Sequence, residues 1–306
     1  MRRIGVITPI KHLNGVQELI ENKGFVFYYE SGSKSETRNF IIENNIDVIL
    51  CNPNKQDFVI DRELLQDTQV KLINTCSTGL SHIDLDYCLK NDIEIYSLKT
   101  DFELINDLPS TSELAFGLML NSLRNISKSQ DHVINYNWDY TQFIGRQIKD
   151  LKIGVIGYGR LGKLMYKYCK AFDADVKVYD PYIKGFDKVS LESFISDCDV
   201  ISLHVHLNDE TKEMINKNSL KDCKPDLTII NTSRGGVVNE EDVVSFLQKR
   251  KLFCYATDVI TDENLNIKNS ILIKNMDKLN IIITPHVGGM TIEGQTKAYT
   301  WAINKL

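Results

Sequence analysis

The sequence predicts an α/β protein built from two doubly wound parallel-sheet domains. Three observations carry this prediction. Short β-branched runs alternate with helix-length amphipathic stretches, the alternation occurs twice within 306 residues, and one run breaks into Gly157-x-Gly159-x-x-Gly162 before a helical pattern resumes. A chain of this length is long for one average domain and short for three.

In the first half, strands are expected at 4–8, 25–29, 47–51, 70–74 and 93–97, with helices such as 16–23 and 35–44 between them. In the second half they are expected at 152–156, 176–179, 200–204, 227–230, 252–256 and 280–284. The boundary falls at 109–113. Ser110 and Glu113 there have the spacing of a capping box, and Leu114, Ala115, Leu118, Met119 and Leu123 continue an apolar helical face. Beyond His286, Gly288 and Gly289 interrupt the chain, and 291–306 reads as a helix too short to be a domain, expected to pack back on the first. The expected domains are therefore 1–108 with 288–306, and 109–287, with a cleft between them.

Composition narrows the partners. A net charge of -5 leaves no broad basic face for nucleic acid or an anionic membrane. Seven cysteines, odd in number and never in a C-x-x-C pair, read as free thiols in a reducing compartment rather than metal ligands. The apolar run at the N-terminus stops at Pro9 and is followed by Lys11 and His12, so it reads as a first strand rather than a signal peptide. No stretch approaches the roughly 18 apolar residues of a membrane span, and a cytoplasmic location is expected.

The glycine stretch has a definite chemistry. Gly157 suits the tight turn, Gly159 lets backbone approach a pyrophosphate, and Gly162 permits close helix–strand packing, with phosphate charge at a helix N-terminus. Asp180 ends the next strand, about twenty residues on, where a carboxylate accepts from ribose hydroxyls and repels a 2′-phosphate. NAD is thus favoured over NADP. His204, Thr232 and Arg234 in Asn231-Thr232-Ser233-Arg234-Gly235-Gly236, Asp258, and His286 in Thr284-Pro285-His286-Val287-Gly288-Gly289 likewise follow strands, where open α/β sheets bind ligands. The Arg234 fork suits a carboxylate, with Gly235 and Gly236 leaving it unhindered. His286 suits the proton that accompanies hydride transfer, and Glu263 suits a hydrogen bond to its imidazole. Taken singly, Arg234 reads equally as a surface turn, His286 as a core histidine and Glu263 as a solvated acid. Their joint appearance after a dinucleotide fingerprint favours the chemical reading.

Together, Gly157-Tyr158-Gly159-Arg160-Leu161-Gly162, Val178-Tyr179-Asp180-Pro181, Ser202-Leu203-His204-Val205, the Asn231–Gly236 stretch, Asp258-Val259 and the Thr284–Gly289 stretch resemble the D-isomer-specific 2-hydroxyacid dehydrogenase family. The resemblance implies a Rossmann NAD-binding domain and a flavodoxin-like substrate domain, commonly a homodimer through the nucleotide domain. It implies that Arg234 binds the substrate carboxylate, that His286 is the general acid/base and that Glu263 partners it. Gly157, Gly159, Arg160, Leu161, Gly162 and Asp180 would hold the dinucleotide, with His204 and Thr232 beside it and Asp258 on its nicotinamide side. Ser77-Thr78-Gly79 is similar to the family's carboxylate cradle. Several positions depart from the pattern. His206 replaces a usual proline, Ser110-Thr111-Ser112-Glu113 is unusually polar, and 97–109 is several residues longer, a hinge loop able to alter substrate choice. The arginines that phosphoglycerate-using relatives place near 52–55 are missing and only Lys55 is left, which favours a plain or larger 2-hydroxy acid. Two alternatives share the architecture: a dinucleotide-sensing corepressor-like protein, and a formate or phosphite dehydrogenase. The formate enzymes pair the histidine with an amide, where this chain has Glu263.

Overall fold

The computed structural model describes residues 1–53, 58–185, 189–261, 263 and 267–306, so Lys55 lies outside the described residues. The described chain divides into two units, Met1–Leu108 with Gly289–Leu306, and Pro109–Gly288.

In the first unit β1 (Arg2–Val6), β2 (Gly24–Tyr28), β3 (Val48–Cys51), β4 (Leu72–Thr75) and β5 (Glu94–Ser97) pair in parallel in the order β2-β1-β3-β4-β5. Central strands β3 and β4 are buried along their whole length; β3 accordingly reads as an unbroken apolar run, whereas β4 ends in the buried polar residues Asn74 and Thr75. Side-chain alternation divides the core into two layers. Ile4, Val6, Val48 and Leu50 pack with Val16 and Ile20 of the helix Val16–Glu21 and with Tyr299, Ala302 and Ile303 of the helix Ile292–Asn304. Ile49, Cys51 and Ile73 pack on the other face with Ile41 and Leu64. Each fully buried Ile or Leu contributes about 1.5–3 kcal/mol relative to exposure, enough to fix the register of both layers. The C-terminal helix thus packs back on the first unit. Polar contacts also tie it there, Thr8 Oγ1 to Tyr299 Oη at 2.8 Å and Asn74 Nδ2 donating to Ala302 O at 2.6 Å.

In the second unit β6 (Lys152–Ile156), β7 (Asp175–Tyr179), β8 (Val200–Leu203), β9 (Thr228–Asn231), β10 (Cys254–Thr257) and β11 (Ile281–Ile283) form a parallel sheet in the order β11-β10-β9-β8-β6-β7. Ile153, Val155, Val176 and Val178 face the helices Ser110–Arg124 and Arg160–Ala171. Ile156, Ile201, Leu203, Ile229 and Tyr255 face Leu191–Asp197 and Glu240–Gln248. Among the described strands the order reverses between β6 and β8. Such a switch point opens a crevice at the carboxyl ends of the strands.

All eleven expected strands are present, with ends displaced by at most two residues. The capping box expected at Ser110 and Glu113 is not formed. Pro109 takes the N-cap position with helical backbone angles (φ −81°, ψ −14°), so Ser110 already lies inside the helix and its side chain cannot cap it. Ser112 instead donates its hydroxyl to Leu161 O at 3.0 Å, joining this helix to the glycine-rich turn. The 97–109 segment holds a 3-10 turn, Leu98–Thr100, and the helix Phe102–Asn106. It is fastened to the C-terminal helix: Trp301 Nε1 donates to Asp101 at 2.6 Å, and Lys297 pairs with Asp107. All seven cysteines are free, six of them buried, and burial raises the pKa of the thiols at 51, 88, 169, 198 and 254. Among the described residues no helix is long and apolar enough to cross a membrane.

Candidate active site

The glycine turn that follows β6 has three different steric demands. Gly157 sits at φ +87°, and a Cβ there would meet His204 O at 2.6 Å. A Cβ on Gly162 would lie 1.9 Å from Gly157 O, so only glycine lets the helix start this close to the turn. Gly159 differs. It is exposed, and a Cβ there would meet nothing within 4 Å among the described residues, so no packing demand from them calls for glycine. It is also the N-cap of Arg160–Ala171, a helix with no side-chain cap and no acidic residue in its first turn. The positive end of its dipole thus favours an anion at this turn. Asp180, at the end of β7, accepts from Tyr158 N at 2.8 Å and from Tyr182 N at 3.0 Å, which fixes a carboxylate beside the turn.

Two further residues at this edge carry buried polar atoms with no hydrogen-bond partner among the described residues, His204 Nδ1 and Thr232 Oγ1. The other nitrogen of His204 lies 2.8 Å from Ser202 Oγ, and burial lowers the imidazole pKa to about 4, so the ring is neutral at pH 7. Unsatisfied buried groups are costly, and two of them at the same sheet edge as an uncapped helix and an open glycine fit a polar dinucleotide. The chain therefore has the donor and acceptor set that NAD requires.

The carboxyl ends of β9, β10 and β11 are adjacent, spanning about 10 Å or two strand spacings, and are followed in the chain by Arg234, Asp258 and His286. The turn after β9 is shaped by Asn231, whose Oδ1 accepts from Ser233 N and Ser233 Oγ while its Nδ2 donates to Arg234 O at 3.0 Å. Half-buried Arg234 donates to Ser233 O at 2.6 Å. Gly235 serves a purpose other than freeing the guanidinium: a Cβ there would lie 2.1 Å from the Ile260 carbonyl carbon, so glycine is needed for backbone approach.

Asp258 is 2% exposed and holds the loop after β11. Its Oδ1 accepts from Val287 N at 2.8 Å and from the Thr284 hydroxyl, its Oδ2 accepts from Gly288 N at 2.8 Å, and its carbonyl accepts from His286 N at 2.9 Å. Burial raises its pKa, and these hydrogen bonds oppose that rise. Its carboxylate thus clamps the loop, a contact the sequence motif does not reveal. Within the loop His286 adopts φ +53°, a left-handed conformation uncommon for non-glycine residues in general. Its Nδ1 lies 2.7 Å from Glu263 Oε1. His206 is exposed, and its carbonyl accepts the Thr211 hydroxyl.

In the first unit Ser77, Thr78 and Gly79 follow β4. Ser77 Oγ donates to Gly79 O at 2.8 Å, and Leu98 N donates to Ser77 O at 3.0 Å.

Residues 116–288, more than half of the chain, match the D-isomer specific 2-hydroxyacid dehydrogenase, NAD binding domain. The chain belongs to this family. Its NAD-binding domain thus includes the glycine turn, Asp180 and the Arg234, Asp258 and His286 edge. Among similar proteins is a D-3-phosphoglycerate dehydrogenase of Mycobacterium bovis, 28% identical over 254 residues, covering 79% of this chain and 45% of that one. A hydroxypyruvate reductase of Thermotoga maritima is 29% identical over 246 residues, 78% of this chain and 76% of the relative. The match thus spans less than half the length of the phosphoglycerate dehydrogenase. Among solved structures, a D-lactate dehydrogenase of Aquifex aeolicus complexed with NAD and lactic acid superposes with a TM-score of 0.78 at 26% identity. That superposition covers 99% of this chain and 94% of the other.

Proposed function

We propose that the protein is an NAD-dependent dehydrogenase that interconverts an (R)-2-hydroxy acid and its 2-keto acid. The observation that carries this reading is the His286–Glu263 hydrogen bond of 2.7 Å at the edge of the NAD-binding sheet. Bound NAD supplies the hydride donor or acceptor, and Gly157, Gly159, Arg160, Leu161, Gly162, Asp180, His204 and Thr232 would hold it. The remaining steps belong to side chains. Arg234 receives the substrate carboxylate in its planar fork and polarises the carbonyl, and the Ser77–Gly79 turn of the first unit carries backbone N–H groups of the kind that bind a carboxylate. In the reductive direction His286 donates a proton from Nε2 to the carbonyl oxygen as hydride reaches C2, and in the oxidative direction it takes that proton back. Glu263 accepts from Nδ1–H, which orients the ring and stabilises the imidazolium. Asp258 sets the position of His286 by clamping the loop that carries it.

The substrate favoured is a plain or larger 2-hydroxy acid rather than phosphoglycerate, because 52–55 contains no arginine. A cytoplasmic homodimer is the expected setting. Support for the dimer comes from the arm after the helix Ile126–Ile134, where Tyr136 is 99% exposed, Trp138 90% and Ile144 82%, an aromatic surface suited to burial against a second copy.

The test is NADH absorbance, with NADPH in parallel, across 2-keto acids of graded size and charge. NADH loss should depend on the keto acid. His286→Ala should abolish it while leaving NADH binding nearly intact, and loss of binding as well would contradict the role. Arg234→Lys should also fail, because an ammonium cannot reproduce a bidentate contact. NADH binding without reduction of any acid would instead favour the corepressor-like reading.

A further inference from the structure

Behind the Ser77–Gly79 turn runs a line of buried polar groups that the dehydrogenase reading does not use. His82 is 2% exposed, and its Nε2 lies 3.0 Å from Thr75 Oγ1. Thr75, fully buried at the end of β4, has its hydroxyl 2.9 Å from Ser77 Oγ, which donates to Gly79 O at 2.8 Å. The direction of every hydrogen follows from one end. A carbonyl oxygen only accepts, so the single hydroxyl proton of Ser77 points to Gly79 O and Ser77 must accept from Thr75. Thr75 then has no proton left for His82 and must accept from it. His82 therefore carries its hydrogen on Nε2. Burial lowers the His82 pKa to about 4, so the ring is neutral at pH 7 and exists as one tautomer. Its Nδ1 is buried without a hydrogen-bond partner among the described residues, as the bare nitrogen of that tautomer would be. The Cys51 thiol is also near Nε2, but at 3.8 Å, and burial pushes its pKa up to about 12, so it remains a neutral, weak partner.

The turn held by this relay has uncommitted donors. Among the described residues nothing accepts from the backbone N–H of Ser77, Thr78 or Gly79. Three consecutive N–H groups in a turn form a small anion-binding concavity, provided the turn keeps its shape. We propose that His82 is a positioning residue, which acts through Thr75 and Ser77 to hold this turn in the conformation that receives the carboxylate of a 2-keto or 2-hydroxy acid. The proposal rests on the dehydrogenase reading for its substrate, but the proton order of the relay is independent of it.

Two measurements test it. The first is steady-state kinetics of His82→Leu, Thr75→Val and His82→Gln, the last able to place an amide N–H near the imidazole Nε2–H. His82→Leu and Thr75→Val should each raise KM for the keto acid about tenfold or more, with kcat within about threefold and NADH affinity unchanged, and His82→Gln should recover most of the loss. Unchanged KM in His82→Leu, or equal losses in KM, kcat and NADH affinity as from general misfolding, would overturn the assignment. The second is long-range 15N–1H correlation on the histidine-labelled wild-type protein, with the His82 signals identified by their loss in His82→Gln. A proton on Nε2 and a bare Nδ1 are expected, and the opposite tautomer would overturn the relay. If the wild type reduces no keto acid with NADH, the dehydrogenase reading fails by itself, and the tautomer still reads the relay.

Discussion

Gly159→Ala separates the ligand's demand for glycine from the fold's demand. The backbone there has φ −72°, open to any residue, and an added Cβ meets no atom of the described residues within 4 Å. The cost to folding should be under about 1 kcal/mol, the difference between glycine and alanine at an N-cap. A dinucleotide loses more. The methyl group would stand where backbone must approach the pyrophosphate, weakening a charge–dipole attraction worth up to about 2 kcal/mol and charge-assisted hydrogen bonds worth about 1.5–3 kcal/mol each. A loss of about 2–3 kcal/mol corresponds to NADH binding roughly 30- to 150-fold weaker. The assay is calorimetric titration with NADH beside urea unfolding of the same preparation. Gly162→Ala is the control, because its Cβ would fall 1.9 Å from Gly157 O and should destabilise the fold by about 1–3 kcal/mol or more. Wild-type NADH affinity in Gly159→Ala, or destabilisation equal to that of Gly162→Ala, would refute the reasoning.

Three other outcomes follow from the same contacts. Asp258→Asn places an amide N–H against one of the loop donors now held by the carboxylate; turnover should fall about 100-fold and stability by about 1–3 kcal/mol, with NADH affinity within twofold, and wild-type turnover would remove Asp258 from the clamp. Asp180→Asn keeps an acceptor for Tyr158 N but removes the charge, so the ratio of NADPH to NADH dissociation constants should fall about tenfold, and an unchanged ratio would deny Asp180 its part in choosing the cofactor. His82 has a folded pKa of about 4, below the roughly 6.5 of an unfolded histidine, so the unfolded chain binds a proton first as pH falls. Its contribution is complete above pH 6.5 and is lost towards pH 4, about 3 kcal/mol in all, so urea midpoints of wild type should fall more steeply over that window than those of His82→Gln.

Sequence alone reaches features whose cause is local. Gly157, Gly159 and Gly162 fall within one strand–turn–helix, so spacing reveals them, and Asp180 is found by counting to the end of the next strand. The strands are legible because burial on both sheet faces leaves apolar runs such as Val48–Cys51 or apolar centres such as Ile229 and Ile230. A local rule also misled. Ser110 and Glu113 have capping-box spacing, but Pro109 is already helical and starts the helix one residue too early for the box. Contacts between distant residues leave no such trace. Asp258 reaches donors 26 to 30 residues away, and the relay from His82 to Ser77 crosses a turn without any periodic pattern. Gly235 looked like space for an arginine, whereas its neighbour in space is the backbone at Ile260.

The most direct test of the account is transfer of deuterium from [4-2H]NADH, labelled in turn on each face of the ring, to the best 2-keto acid, with the product resolved by chirality and its label located by mass spectrometry. The expected product is a 2-hydroxy acid of (R) configuration carrying one deuterium at C2 from one of the two labelled cofactors, with no such product from His286→Ala. An (S) product, deuterium found elsewhere, or equal product from His286→Ala would contradict it.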